Sequence, residues 1–233
     1  MLPFALVSPP GSEDELFARA RRLAGRTVGM IAEQHAVPLA DLRRSKGWVG
    51  RLVEIALGAT AASRAAPDFE ALGVEMKTVP IDGAGRPKES TFVCSAPLET
   101  MGEMRWEESP VRKKMARVLW VPVEADKDVP LPERRFGMPL LWSPGAEEKE
   151  ALRRDWDEFA ERVGRGRVEE ITAHLGAHLQ MRPKGASASS VRWGIDEDGN
   201  AIRTLPLAFY LRATFVRAVL ERSFVTSSAR PRG

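Results

Sequence analysis

The stretch PDFEALGVEMKTVPI, residues 67–81, decides how the chain is read. From Gly73 onward the pattern alternates, with Val74, Met76 and Thr78 on one side and Glu75 and Lys77 on the other. A period of two is strand spacing, so Glu75 and Lys77 share a face roughly 6–7 Å apart. Gly73 on one side and Pro80 with Asp82-Gly83 on the other bound the strand, as in a small mixed sheet. Upstream, Val49, Leu52, Val53, Ala56 and Leu57 recur at helical spacing and predict a helix with Glu54 at the margin of its apolar stripe. Carboxylates and an ammonium brought to one edge can hold a hard divalent cation with a water beside it, the equipment of phosphodiester hydrolysis. On spacing alone, an exposed strand face with solvated charges is the better reading; the bounded strand, its buried face of Val74 and Met76 and the patterned helix bearing Glu54 raise the odds of a site.

Outward from this stretch the chain alternates helices and short strands. Ser12 with Glu15 forms a capping box that opens a helix to about Leu23, with Gly25 to end it, and a second helix runs from Thr27 to about His35. The small-residue loop ATAASRAAP delivers Asp68. After the first strand, the turn DGAGRP leads to a second strand over Thr91–Ala96, so the first half reads helix, helix, helix, hairpin. Strands follow over Val118–Val123 and within PLLWSP. Residues 146–162 form the clearest helix, with Leu152, Trp156, Phe159 and Val163 on one stripe and Glu150 placed to pair with Arg154. A shorter helix is expected over Val168–Leu175, then a strand in HLQMRPK, a polar loop GASASS and a turn at Asp198-Gly199. The last helix is expected over about Ala208–Phe224, with Tyr210 near its start and a disordered tail, TSSARPRG, after it.

Composition narrows the class. A chain of 233 residues with 43% hydrophobic content suffices for one large domain of two lobes. The single cysteine, Cys94, precludes a disulfide framework within the chain and fits a reducing cytosol. The start, MLPFALVSPP, lacks the basic leader of a signal peptide, and no later segment is long enough to span a bilayer. Net charge is only +3, a mild bias toward polyanions. Of 35 basic residues, 8 are lysines and 27 arginines, which suits phosphate and guanine recognition and equally a GC-rich genome. His174 and His178 have Gly176 between them and no acidic base in the zinc-protease pattern, so a zinc site is not expected. No Gly-rich phosphate loop or nucleophile elbow supports a kinase or serine hydrolase. Basic residues gather at Arg112, Lys113, Lys114 and Arg117, and again at Arg182 and Lys184, where a strand gives way to a loop. Phe92 is either ordinary core or a wedge for stacked bases.

The segments KGWVGRLVEIALGA, DFEALGVEMKTVPID, GRPKESTFVCSAPL, RVLWVPVE, PLLWSP, LQMRPK and TLPLAFYLR, in this order along nearly the whole chain, resemble the MutH family of DNA mismatch-repair endonucleases. The resemblance implies an α/β, restriction-endonuclease-like fold: a central mixed sheet flanked by helices, with two arms forming a cleft for duplex DNA. The arms would be about residues 1–106, with the catalytic carboxylates, and about 107–225, with the DNA-reading loop, followed by the tail 226–233. It further implies Mg²⁺-dependent nicking of the unmethylated strand at hemimethylated GATC sites, activated by MutL, by a cytoplasmic protein that is a monomer in solution. By motif, Glu54, Asp68, Glu75 and Lys77 match the catalytic set and Lys114 a further lysine from the other arm. Asp68, Glu75 and Glu54 would hold Mg²⁺. Lys46, Phe92, Arg182, Lys184 and Tyr210 match DNA-contacting positions, with Tyr210 as the methylation sensor. Two other functions share these features: a GATC-specific restriction-type endonuclease cutting both strands, and a non-cleaving DNA-binding module. The clustered acids argue against the second, since a pure binder has no use for them beside a polyanion.

Overall fold

The computed structural model describes residues 7–38, 47–61, 66–184, 192–195 and 200–228. Lys46, the loop GASASS, the turn at Asp198-Gly199 and residues 229–233 of the expected tail lie outside the described residues. In chain order the elements are α1 (Glu13–Arg21), α2 (Val28–Gln34), α3 (Trp48–Leu57), β1 (Glu75–Ile81), β2 (Thr91–Ser95), α4 (Pro110–Met115) and β3 (Val118–Glu124). There follow β4 (Leu140–Trp142), α5 (Ala146–Gly164), β5 (Leu179–Pro183), β6 (Arg192–Ile195), β7 (Ala201–Thr204), β8 (Leu207–Leu211) and α6 (Ala213–Ser228). Two compact units share the chain: Met1–Lys88, Ala116–Ser143 and Leu220–Gly233 make the first, Glu89–Met115 and Pro144–Val219 the second.

In the first unit, local signals set the helix ends. Ser12 Oγ accepts the Glu15 N–H at 3.2 Å, while the Glu15 carboxylate takes the Gly11 N–H at 2.8 Å, so half of the expected capping box forms. Thr27 caps α2 by accepting the Met30 N–H at 3.2 Å. Helix α3 stops at Gly58, which has φ +79° and where a Cβ would meet the Ser8 carbonyl oxygen at 2.5 Å, so glycine is required twice over. Arg19 bridges that end of α3, donating to the Ser8 and Leu57 carbonyls at 2.6 and 3.1 Å. Leu16, Val28, Ile31, Leu52, Val53 and Leu57 bury against Val74, Met76, Leu119, Val121 and Phe136. Each such side chain contributes about 1.5–3 kcal/mol.

The sheet of this unit has the order β1-β3-β4, with β1 parallel and β4 antiparallel to β3. Glu75 lies opposite Val118 and Lys77 opposite Trp120, and the Glu75 N–H donates to the Arg117 carbonyl at 2.9 Å. Alternate N–H groups of this edge strand therefore point outward, and Pro80 falls in the outward set, where a missing N–H leaves the ladder intact. The expected hairpin between the first two strands does not form. Its turn does: Asp82 Oδ1 accepts the Ala84 and Arg86 N–H groups at 2.9 Å each, and the Lys88 N–H reaches the Pro80 carbonyl at 2.9 Å. The Arg86 backbone bond leads in holding the Asp82 carboxyl below its ordinary range. Farther along, the outer edge of β1 is already used by Asp68, which takes the Met76 N–H at 2.8 Å. Strand β2 leaves for another sheet.

That sheet belongs to the second unit and is antiparallel, in the order β2-β8-β5. LAFYL is thus a central strand, where the start of the last helix was expected. A short continuous apolar run carries no period to separate the two. Phe209 of β8 stacks near Trp156 and Phe159 of α5, at 5.1 and 5.9 Å between ring centroids. The expected stripe of α5 is buried, but its ion pairs run Arg153–Asp157, Glu158–Arg162 and Glu161–Arg165, not from Glu150 to Arg154. The helix expected over Val168–Leu175 is reduced to one 3₁₀ turn, Val168–Glu170. Two side chains from elsewhere hold the backbone within and just after that segment. Asp155 accepts the N–H groups of Ala177, His178 and Leu179 at 2.7–2.8 Å. Arg212 donates to the carbonyls of Ala173, Leu175 and Gly176 at 2.9–3.0 Å. These bonds fix the segment leading into β5.

Candidate functional site

Strand β1 places Glu75 and Lys77 on one face, and the structure brings them into contact: Lys77 Nζ lies 2.6 Å from Glu75 Oε1. The two side chains are only 12% and 3% exposed, which rules out the reading of a solvated strand face. Withdrawing two such charges from water costs several kcal/mol per ion, so the pair is not an incidental surface contact. Asp68 joins it from outside the strand. Its Oδ2 holds the Met76 N–H, the residue between Glu75 and Lys77, while its own carbonyl accepts the Thr60 and Ala61 N–H groups at 2.9 and 3.3 Å. The end of α3 thus leads directly to Asp68. Glu54, on α3, is partly exposed and pairs with Arg51 at 3.0 Å.

Among the described residues, no three of His, Cys, Asp and Glu stand together as a finished metal cluster. The donor chemistry nevertheless fits a hard divalent cation. Glu75 offers a carboxylate from edge strand β1, Asp68 another from outside the strand where it holds the Met76 N–H, and Glu54 is a further carboxylate on the adjoining helix. Lys114 lies in the second unit, at 8% exposure on α4, whose start is capped by Ser109 Oγ accepting the Arg112 N–H at 3.0 Å.

The second group of expected residues assembles on one face of the β2-β8-β5 sheet. Register puts Phe92 and Gln180 on either side of Tyr210, and Arg182 opposite Ala208. Cross-strand partners point the same way, so Phe92, Tyr210 and Arg182 share that face. Tyr210 therefore projects from a strand, not from a helix start. Its ring meets Phe92 edge-on at 5.6 Å. The Arg182 guanidinium lies 4.1 Å from the Tyr210 ring centroid and donates to Ser90 Oγ at 2.7 Å. Lys184 Nζ lies 4.5 Å from the Phe92 ring centroid and donates to Ser95 Oγ at 3.2 Å. A register shift between Phe92 and Cys94 re-aims β2 at this point. Phe92 remains 36% exposed, so it is not ordinary core. Ser90 and Ser95 were not foreseen. Their partners lie 92 and 89 residues away along the chain, and no local pattern announces them.

A mixed α/β chain with a buried acid–lysine pair on an edge strand, and cations stacked on aromatic rings elsewhere, has the make-up of a restriction-endonuclease-like protein. The family model described as DNA mismatch repair enzyme MutH matches residues 57–155. The DNA mismatch repair protein MutH of Serratia proteamaculans is 52% identical over 221 residues, covering 94% of this chain and 96% of the relative. Those of Salmonella typhimurium and Salmonella paratyphi B are each 51% identical over the same shares. The chain belongs to the MutH family of DNA mismatch repair enzymes.

Proposed function

We propose that this chain is a Mg²⁺-dependent endonuclease that nicks the unmethylated strand at hemimethylated GATC sites in methyl-directed mismatch repair, activated by MutL. The observation that carries the reading is the buried Glu75–Lys77 pair with Asp68 bonded to the residue between them. Asp68 and Glu75 would hold the Mg²⁺, with Glu54 assisting. The chemistry supplied by a cation bound there is Lewis-acid polarisation of a phosphate oxygen and acidification of a bound water. Lys77 would orient the attacking water, and Lys114 would offset charge building on the phosphate.

Recognition is assigned to Phe92, Arg182, Lys184 and Tyr210, with Lys46 as a further contact. Adenine presents its N6 amino group in the major groove, where a methyl group adds bulk and removes a donor hydrogen. The Tyr210 ring, held by Phe92 on one side and Arg182 on the other, would pack against the bare edge and collide with the methylated one. Duplex DNA and MutL are the partners of this reading, and the protein acts as a monomer in the cytoplasm. Among the described residues, no helix is long and apolar enough to cross a membrane.

The test is Mg²⁺-dependent cleavage of unmethylated, hemimethylated and fully methylated GATC duplexes with MutL present, resolved strand by strand. Nicks confined to unmethylated strands are expected. Cutting of both strands whatever their methylation, or tight binding without cleavage, would overturn the reading.

A further inference from the structure

Arg182 and Lys184 are held by the same device, used twice. Each cation lies against one aromatic ring and donates to one serine hydroxyl: Ser90 and Tyr210 for Arg182, Ser95 and Phe92 for Lys184. The serines bracket β2, one just before Thr91 and one at its end, and the two rings touch edge-on. Strand β2 carries no charged residue of its own, yet it sets the position of both cations.

We propose that Ser90 and Ser95 are positioning residues that preset Arg182 and Lys184 for DNA before DNA arrives. The proposal rests on reading this face as the DNA contact. A ring beneath a guanidinium fixes its height but leaves it free to turn in its own plane. A hydroxyl 2.7 Å from one terminal nitrogen stops that turning, so the remaining N–H groups of the fork point in set directions. Direction matters for arginine, because the planar fork must meet two acceptors on one base edge at once. An ammonium has no such fork, so Ser95 fixes only where the Lys184 charge sits. The two serines should therefore affect different quantities: Ser90 the choice of sequence, Ser95 the strength of binding to any duplex. Presetting long side chains also removes part of the ordering that association otherwise demands.

The experiment compares the full chain with Ser90→Ala, Ser90→Thr, Arg182→Ala, Ser90→Ala/Arg182→Ala and Ser95→Ala, measuring affinity for GATC and scrambled duplexes without Mg²⁺. Ser90→Ala should lower the GATC-over-scrambled ratio about 10-fold, the scale of one hydrogen bond to a charged group. Its affinity for scrambled duplex should stay within about twofold. Ser90→Thr, which keeps the hydroxyl, should restore the ratio, and Ser90→Ala should have no further effect once Arg182 is alanine. Ser95→Ala should weaken both duplexes by the same factor. Tyr210 is the single tyrosine, so fluorotyrosine labelling gives one ¹⁹F resonance. Without DNA, Ser90→Ala should shift it and Ser90→Thr should not. If Arg182→Ala lowers the ratio and Ser90→Ala does not, the proposal is wrong while the DNA face stands. An equal Ser90→Ala loss with and without Arg182, or an unmoved ¹⁹F resonance, also overturns it. An unchanged ratio in Arg182→Ala overturns the reading of the face and the proposal with it.

Discussion

Strand β1 withdraws a carboxylate and an ammonium from water within three residues of sequence, whereas the face of β2, β8 and β5 collects cations and rings from strands far apart in the chain and keeps Phe92 in solvent. The first arrangement holds charges fixed at a desolvation cost, which suits chemistry on a phosphodiester. The second keeps charge near the surface, where DNA can replace water and counterions. Two regions built on such different terms should fail separately under mutation.

Lys77→Ala should separate them most sharply. Nicking should fall by about 10³-fold or more as the water-orienting group is lost, while duplex affinity stays near that of the parent. Removing the ammonium from a buried pair should also lower stability by about 3 kcal/mol, read from urea unfolding. A variant that keeps its nicking would break the assignment of β1 to catalysis. The next effect belongs to the other face. Tyr210→Ser should raise cutting of methylated relative to unmethylated strands by about 10- to 100-fold, the 1–3 kcal/mol scale of one base contact, whereas Tyr210→Phe keeps the ring and should change the ratio little. An unaltered ratio in Tyr210→Ser places the sensor elsewhere.

Salt dependence sharpens the comparison at a smaller scale. Lys184→Ala should reduce the slope of log affinity against log salt by about 0.9, the value of one neutralised phosphate, whereas Arg182→Ala, which removes a base-edge contact, should change it less. Lys77→Ala should leave the slope unchanged, since its charge is already paired. The smallest effect is one of pH and belongs to the first unit. Burial, then the nearby charge of Arg26, holds His35 below its ordinary value of 6.5. Below pH 6.5 the unfolded chain takes up a proton that the folded chain refuses. This contribution to stability is complete above 6.5 and is lost as pH falls toward the folded value. His35→Asn should flatten that part of the stability curve in urea titrations, and an equally steep curve would show that another group is responsible.

The same contrast explains what could be read beforehand. The residues of the acid–lysine site lie within 68–77, so the alternation at Val74–Lys77 sufficed to place Glu75 and Lys77 on one face. The cap at Ser12, the start of α2 beside Thr27 and the stripe of α5 were legible for the same reason, being local. Burial of Glu75 was not, because it depends on β3 lying alongside β1. The expected hairpin and the helical reading of LAFYL failed where partners are remote: β2 and β5 both pair with β8, across about a hundred and about thirty residues of chain. The helical reading of 168–175 failed past Glu170 because Arg212 takes the carbonyls of Ala173, Leu175 and Gly176, and Asp155 holds the N–H groups of the residues that follow. Ser90 and Ser95 could be found only after the strands were in register.

The division of labour is tested most directly on one preparation of Asp68→Ala with a hemimethylated GATC duplex, measuring affinity without Mg²⁺ and nicking rate with Mg²⁺ and MutL. The account predicts affinity equal to or somewhat above that of the parent, because a negative charge beside a phosphate is removed, together with loss of nicking by about 10³-fold or more. A fall of affinity in step with nicking, or appreciable Mg²⁺-dependent nicking by the folded variant, would contradict it.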